Sequence, residues 1–264
     1  RQGHGRMNMH EAVKQSCDIY FYEMANRLGI ERYREMMLSC GLGQYFDIGL
    51  PFPRRAEGLV PSPAWKRARR NEPWTTGDTY NVGIGQGALL ASPLQLAVMT
   101  ARIATGRQVT PTLTRATGAA PDFASMGWNA EHLELVNQAM SGVVNEPGGS
   151  AYWPLGTRGL DLDGLEMAGK TGTSQVYSIS TEERAAGVRD QDDLPWRLRN
   201  HGLFVSYAPV SAPRYVVTVV IEHGGGGTRA AIPAQAILRD LVRRDPSNTR
   251  PDMLASAARP TTEG

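Results

Sequence analysis

Apolar residues first recur at helical spacing early in the chain. Ile19, Tyr22, Ala25 and Leu28 fall on one face and predict a helix over 18–28, with Gly29 placed to cap its end. A short helix over 9–14 leads into it, and another over 31–39 stops at Gly41-Leu42-Gly43. Residues 51–80 lose the period and are rich in proline, arginine and tryptophan. They read as an irregular excursion that Trp65 and Trp74 pin to the body. Ser92 then caps a helix to about residue 104, with Leu94, Leu96, Ala97, Met99 and Ile103 as its apolar face, and a further helix is expected over 130–144. From there the pattern turns to strands over 165–173, 175–178, 202–208 and 215–222, closed by a helix over 233–244. The sum is an α/β fold of the α+β type: an antiparallel sheet covered by helices, one domain over 1–245, then a polar tail over 246–264 expected to be disordered.

Composition narrows the classes. With 264 residues, 41% hydrophobic and 20% charged, the chain can bury one good core. A net charge of +2 and scattered arginines give no basic stripe, so nucleic acid is not expected as a partner. No run approaches the roughly 20 apolar residues that span a bilayer; the longest, 215–221, has strand length. Arg1-Gln2-Gly3-His4-Gly5 is a poor start for a domain, so any targeting or membrane segment is expected in preceding sequence. Cys17 and Cys40 do not mark a disulfide framework.

The candidate chemistry centres on Lys170-Thr171-Gly172-Thr173. Only Lys14, Lys66 and Lys170 are lysines among 28 basic residues, so one kept at a strand edge stands out. An ammonium there can orient a carboxylate, and Gly172 lets a ligand approach the backbone; the plain alternative is a strand ending in a Thr-Gly turn. Upstream lie Ser16-Cys17-Asp18 within 15–22, then Gly83-Ile84-Gly85-Gln86-Gly87, then the segment 91–97. The glycine run has neither dinucleotide spacing nor a following Lys-Ser/Thr, and is expected to pack under the cleft. Gly224 to Gly227, after His223, read as a flexible connection, with a ligand loop as the second reading. The charged insert 179–200, with Trp196, Arg197 and Arg199, reads equally well as a loop beside the cleft or as a solvated loop.

This ordered series resembles the penicillin-binding transpeptidases, and within them the class B, elongation-type branch, from about residue 3 to about 244. One departure matters. The family's nucleophile is the serine of S-x-x-K, and the positions three before the lysines here are Glu11, Pro63 and Met167. The chain therefore looks like the C-terminal part of such a domain, N-terminally truncated after the nucleophile's helix, and is not expected to acylate by itself.

The resemblance implies a D,D-transpeptidase. A serine attacks the carbonyl between two D-alanines of a peptidoglycan stem peptide, D-alanine leaves, and a neighbouring amine resolves the acyl-enzyme into a cross-link; β-lactams mimic the donor and stall at the acyl stage. On this reading Ser16 relays a proton to the leaving nitrogen, and Asp18 orients the substrate amide or the Ser16 loop, with helix capping as the plain alternative. Lys170 brings positive charge to Ser16 and the substrate carboxylate. Thr171 and Thr173 hydroxyls bind that carboxylate, the Thr173 N–H completes an oxyanion hole, and Gly172 keeps the strand clear. No cofactor is required for catalysis; a structural zinc of the intact parent would use His4 and Cys17 as half of its ligands. The implied partners are stem peptides, β-lactams and elongation-complex membrane proteins such as a shape/elongation/division-type glycosyltransferase. The implied location is the periplasmic face of the bacterial inner membrane, with an anchoring helix outside this chain. A non-catalytic penicillin-binding sensor or scaffold and a serine β-lactamase are the alternatives.

Overall fold

The computed structural model describes residues 3–51, 57–114, 121–152, 159, 164–176, 187 and 189–245. Among the described residues seven helices precede the sheet: α1 Met9–Lys14, α2 Asp18–Leu28, α3 Ile30–Ser39, α4 Pro63–Arg70, α5 Thr76–Gly83, α6 Pro93–Thr105 and α7 Ala130–Asn145. Three strands follow, β1 Ala168–Ser174, β2 His201–Ala208 and β3 Tyr215–Ile221, and then α8, Gly227–Arg243. The strands pair antiparallel in the order β1-β2-β3, with Lys170 opposite Val205 and Phe204 opposite Val219. Among the described residues β1 is thus an edge strand.

Alternation along the strands gives the sheet two apolar faces. On one, Phe204, Ala208, Val217, Val219 and Ile221 meet Ala230, Ala231, Ala234 and Leu238 of α8. On the other, Tyr207 and Ala168 meet Met140 and Val136 of α7 and Ile103 of α6, and the Tyr207 hydroxyl donates to Asn137 Oδ1 at 2.7 Å. A separate helical cluster joins Met37, Leu42, Val60 and Val82, with Trp74, Leu96 and Met99 at its border.

The expected α/β architecture holds, and its departures have local causes. Residues 51–80 are not wholly irregular. Ser62 caps α4 by accepting from the Trp65 N–H, with Pro63 at the first helical position, and Thr75 with Asp78 forms a complete capping box for α5. Trp74 is pinned as expected by packing on the Met37, Leu42 and Val82 cluster, with its Nε1 donating to Thr79 Oγ1 at 2.9 Å, whereas half-buried Trp65 meets the Arg70 guanidinium of its own helix. The fully buried side of α6 is partly polar. Gln95 Nε2 donates to the carbonyls of Gln44 and Glu57, each at 2.7 Å, and Arg102 NH1 to that of Ser39 at 2.8 Å, because this helix is flanked by loops and by the C-terminal end of α3, whose carbonyls need donors.

The closing helix begins six residues before Pro233, which sits inside it. Burial of Ala230 and Ala231 in its first turns outweighs the lost proline donor. Gly227 is no flexible connector either. A Cβ there would stand 2.5 Å from the Gly172 carbonyl oxygen and 2.7 Å from both the Gly172 nitrogen and the Leu203 carbonyl oxygen, so α8 rests its first residue directly on strand backbone. Gln175 and Val176 have left the sheet, and Tyr177, Ser178 and the tail over 246–264 lie outside the described residues.

Candidate active site

The site begins where α1 ends. Ser16 N–H reaches the Val13 carbonyl at 3.3 Å and Cys17 N–H the Ala12 carbonyl at 2.9 Å, the paired bonds of a Schellman ending. That ending needs a left-handed residue, usually glycine, and here it is Ser16 at φ +57°. A side chain in that region costs about 1 kcal/mol or more. The exposed Ser16 hydroxyl is thereby turned toward the sheet.

Lys170 meets it from β1. Its Nζ donates to Ser16 Oγ at 2.8 Å and to the Thr171 carbonyl at 3.0 Å, joining positions 154 residues apart. Burial pushes the lysine down from its ordinary value to about 8, opposed by the negative charge of Asp18. Asp18 is the first residue of α2, with buried Cys17 at the capping position, so the capping role considered for Asp18 is not the one it occupies. Its exposed carboxylate acts on Lys170 through its field.

The strand edge carries further polar groups. Gln86 Nε2 donates to the Thr173 carbonyl at 2.6 Å. Because N–H and C=O of one strand residue project to the same side, the Thr173 N–H also points to the open edge, as does that of Thr171, whose carbonyl takes Lys170. The Thr173 side chain is exposed. The Thr171 hydroxyl is engaged by Ser150 Oγ at 2.7 Å. At Gly172 a Cβ would meet Leu203 at an ordinary 3.4 Å, whereas its backbone is what seats Gly227.

Thus Ser16, Lys170 and the Thr171-Gly172-Thr173 edge come together, with Asp18 close enough to act electrostatically. Sequence reasoning missed Gln86 and Ser150. Gln86 had a faint signal, a polar residue between Gly85 and Gly87, both at positive φ. Gly83 does pack as expected: a Cβ there would lie 2.6 Å from that of Ala25 in α2.

His4 is exposed and Cys17 buried. Two ligands do not complete a structural zinc site, which takes four. Among the described residues a different group, His10, Glu11 and Glu146, brings ligand atoms within 4.8 Å of one another. Lys14 already supplies positive charge there, at 2.8 Å from Glu11 and 3.1 Å from Glu146. The hydrogen bond to Glu11 raises the lysine, and the Lys14 bond lowers the Glu11 carboxyl in turn. No described helix is long and apolar enough to cross a membrane.

Residues 1–243 match the family described as penicillin binding protein transpeptidase domain. The peptidoglycan D,D-transpeptidase MrdA of Acinetobacter baumannii is 38% identical over 250 residues, covering 90% of this chain and 35% of that protein. Among solved structures, a complex between penicillin-binding protein PBP2 and MreC from Helicobacter pylori is similar with a TM-score of 0.76 at 29% identity, covering 94% of this chain and 42% of that one. Pseudomonas aeruginosa PBP2 in complex with WCK 5153 is similar with a TM-score of 0.72 at 31% identity, covering 96% and 50%. The chain spans about two fifths of the length of the curated transpeptidases it matches.

Proposed function

Since the chain belongs to the penicillin-binding protein transpeptidase-domain family, we propose that it forms the substrate-clamping and proton-handling part of a serine D,D-transpeptidase of the elongation type, which cross-links peptidoglycan stem peptides. The observation that carries this reading is the 2.8 Å contact between Lys170 Nζ and Ser16 Oγ beside an open strand edge.

Each group then has a task. The edge N–H groups of Thr171 and Thr173 offer hydrogen bonds to an extended peptide laid against β1, as in strand addition, and that of Thr173 also serves an oxyanion. Lys170, as an ammonium, attracts the terminal carboxylate of the donor. The Thr173 hydroxyl, exposed beside it, is the better placed of the two threonine hydroxyls for that carboxylate, since Thr171 is held by Ser150. Ser16 both accepts from Lys170 and can donate its own proton, so it hands a proton to the departing amine and takes one in turn from the Lys170 ammonium. The nucleophile serine and its lysine belong to an upstream S-x-x-K element, since no such spacing occurs among the 264 residues.

Peptidoglycan and β-lactams are the proposed ligands, the periplasmic face of the inner membrane the proposed location, and an elongation-complex glycosyltransferase the proposed partner. That a Helicobacter relative was solved with MreC supports assembly with other proteins. Incubation with a fluorescent penicillin tests the reading, using this chain and the same chain extended upstream through the next S-x-x-K. Covalent label on the extended form alone is expected. Label on neither, with both folded, would leave a non-catalytic scaffold.

A further inference from the structure

Ser150 closes a ring of contacts around the site. Its backbone N–H donates to the carbonyl of Lys14, the last residue of α1, at 3.0 Å. Its hydroxyl bonds that of Thr171 at 2.7 Å, and the Thr171 oxygen lies 3.5 Å from Lys170 Nζ. Lys170 reaches Ser16, two residues past Lys14 along the chain. The ring runs from helix end to loop to strand and back to the same helix end.

The loop that carries Ser150 is itself fixed. Gly149 has the Val143 and Gly142 carbonyls where a side chain would stand, and the Ala151 N–H donates to the Val143 carbonyl at 3.0 Å with its methyl fully buried. Four residues before Ser150, Glu146 bonds Lys14 Nζ at 3.1 Å and His10 Nε2 at 3.0 Å, a second tie between this loop and α1. The Ser150 hydroxyl is therefore held at a defined place from which it can fix Thr171.

We infer that Ser150 is a positioning residue: it sets the spacing between the Ser16 turn at the end of α1 and the Lys170-Thr171 edge of β1 without touching substrate. Its kinetic consequence rests on the transpeptidase reading; the spacing itself can be read without turnover.

The test uses the full-length protein that carries this chain, with Ser150→Ala, Ser150→Thr, Thr171→Val and the Ser150→Ala/Thr171→Val pair. Penicillin acylation is resolved into affinity and rate constant, and NMR of 13Cε-labelled lysine follows Lys170, one of only three lysines in this chain. Ser150→Ala is expected to slow the acylation step about tenfold, through the rate constant rather than the affinity. Ser150→Thr keeps the hydroxyl and restores the rate, and the pair is no slower than Thr171→Val alone. The Lys170 titration is expected to move up toward the ordinary lysine value as the amine is released to solvent. A wild-type rate in Ser150→Ala, additive losses in the pair, or an unmoved Lys170 titration overturns the role. If Ser150→Ala does not fold, Thr171→Val breaks the same bond from the other side, and its Lys170 titration decides. If the wild-type protein does not acylate, the transpeptidase reading fails, and the titration alone supports or overturns the positioning role.

Discussion

A serine at φ +57° makes the turn before α2 a place where stability and chemistry pull in opposite directions. Glycine adopts that conformation freely, so Ser16→Gly is expected to raise stability by about 1 kcal/mol while removing the hydroxyl that Lys170 holds. Ser16→Ala keeps the strain and gains nothing; urea melts of the two variants separate strain from chemistry. Lys170 carries a similar conflict. Below about pH 8 it is charged in both folded and unfolded chains, and its burial cost is felt in full. Between about 8 and the ordinary 10.5 the folded chain releases the proton first, so stability rises with pH through that window. Lys170→Met is accordingly expected to melt higher than wild type at pH 7, with the advantage shrinking toward pH 10, and to abolish acylation in the full-length protein. Equal melting curves across that range would sink the burial account. Ser16 and Lys170 were legible in the sequence because each sits in a short ordered series of chemically distinctive residues. Gln86 and Ser150 were not, because a single polar residue in a glycine loop has no period, and its partners are supplied only by distant segments.

Among the elements, α8 and β1 show how closely the candidate site is tied to the core. The Gly227 position is bounded by main-chain atoms of Gly172 and Leu203, which cannot rotate away as a side chain can. Gly227→Ala is therefore expected to cost about 2–4 kcal/mol and to disturb the Thr171–Thr173 edge along with the core. A midpoint within about 0.5 kcal/mol of wild type, with intact labelling of the full-length protein, would show that the helix can lift off without consequence. Helix α7 was readable from its period, burying Ala139, Met140, Val143 and Val144 on one face, and β2 and β3 from their apolar runs; the face expected for α2 buries only Ala25, with Ile19 and Leu28 left exposed. The start of α8 was misread because proline usually marks a first turn, and here the seat of Gly227 on the sheet set the start instead. Residues 63–83 hid two helices for the opposite reason: their capping signals were present, but short helices held by Lys66–Asp78 and by a tryptophan have little apolar period of their own.

At the scale of the whole molecule, the site lies on a seam. The turn after α1 contributes Ser16 and α2 contributes Asp18, the sheet contributes Lys170 and the threonines, and the loops 84–88 and 147–151 reach in with Gln86 and Ser150. Lys14, Glu11, Glu146 and His10 tie α1 to the end of α7 near that seam. The overall architecture was legible because composition allows one core and the pattern turns from helix to strand and back to a single closing helix. The seam was not, because side chains separated by 154 residues leave no trace of their meeting in local sequence. That separation has a consequence for anyone counting active molecules. A ligand that needs both Ser16 and Lys170 has nothing to hold until segments 154 residues apart have docked, so occupancy of the cleft is a census of molecules in which that seam has closed and is blind to half-built ones.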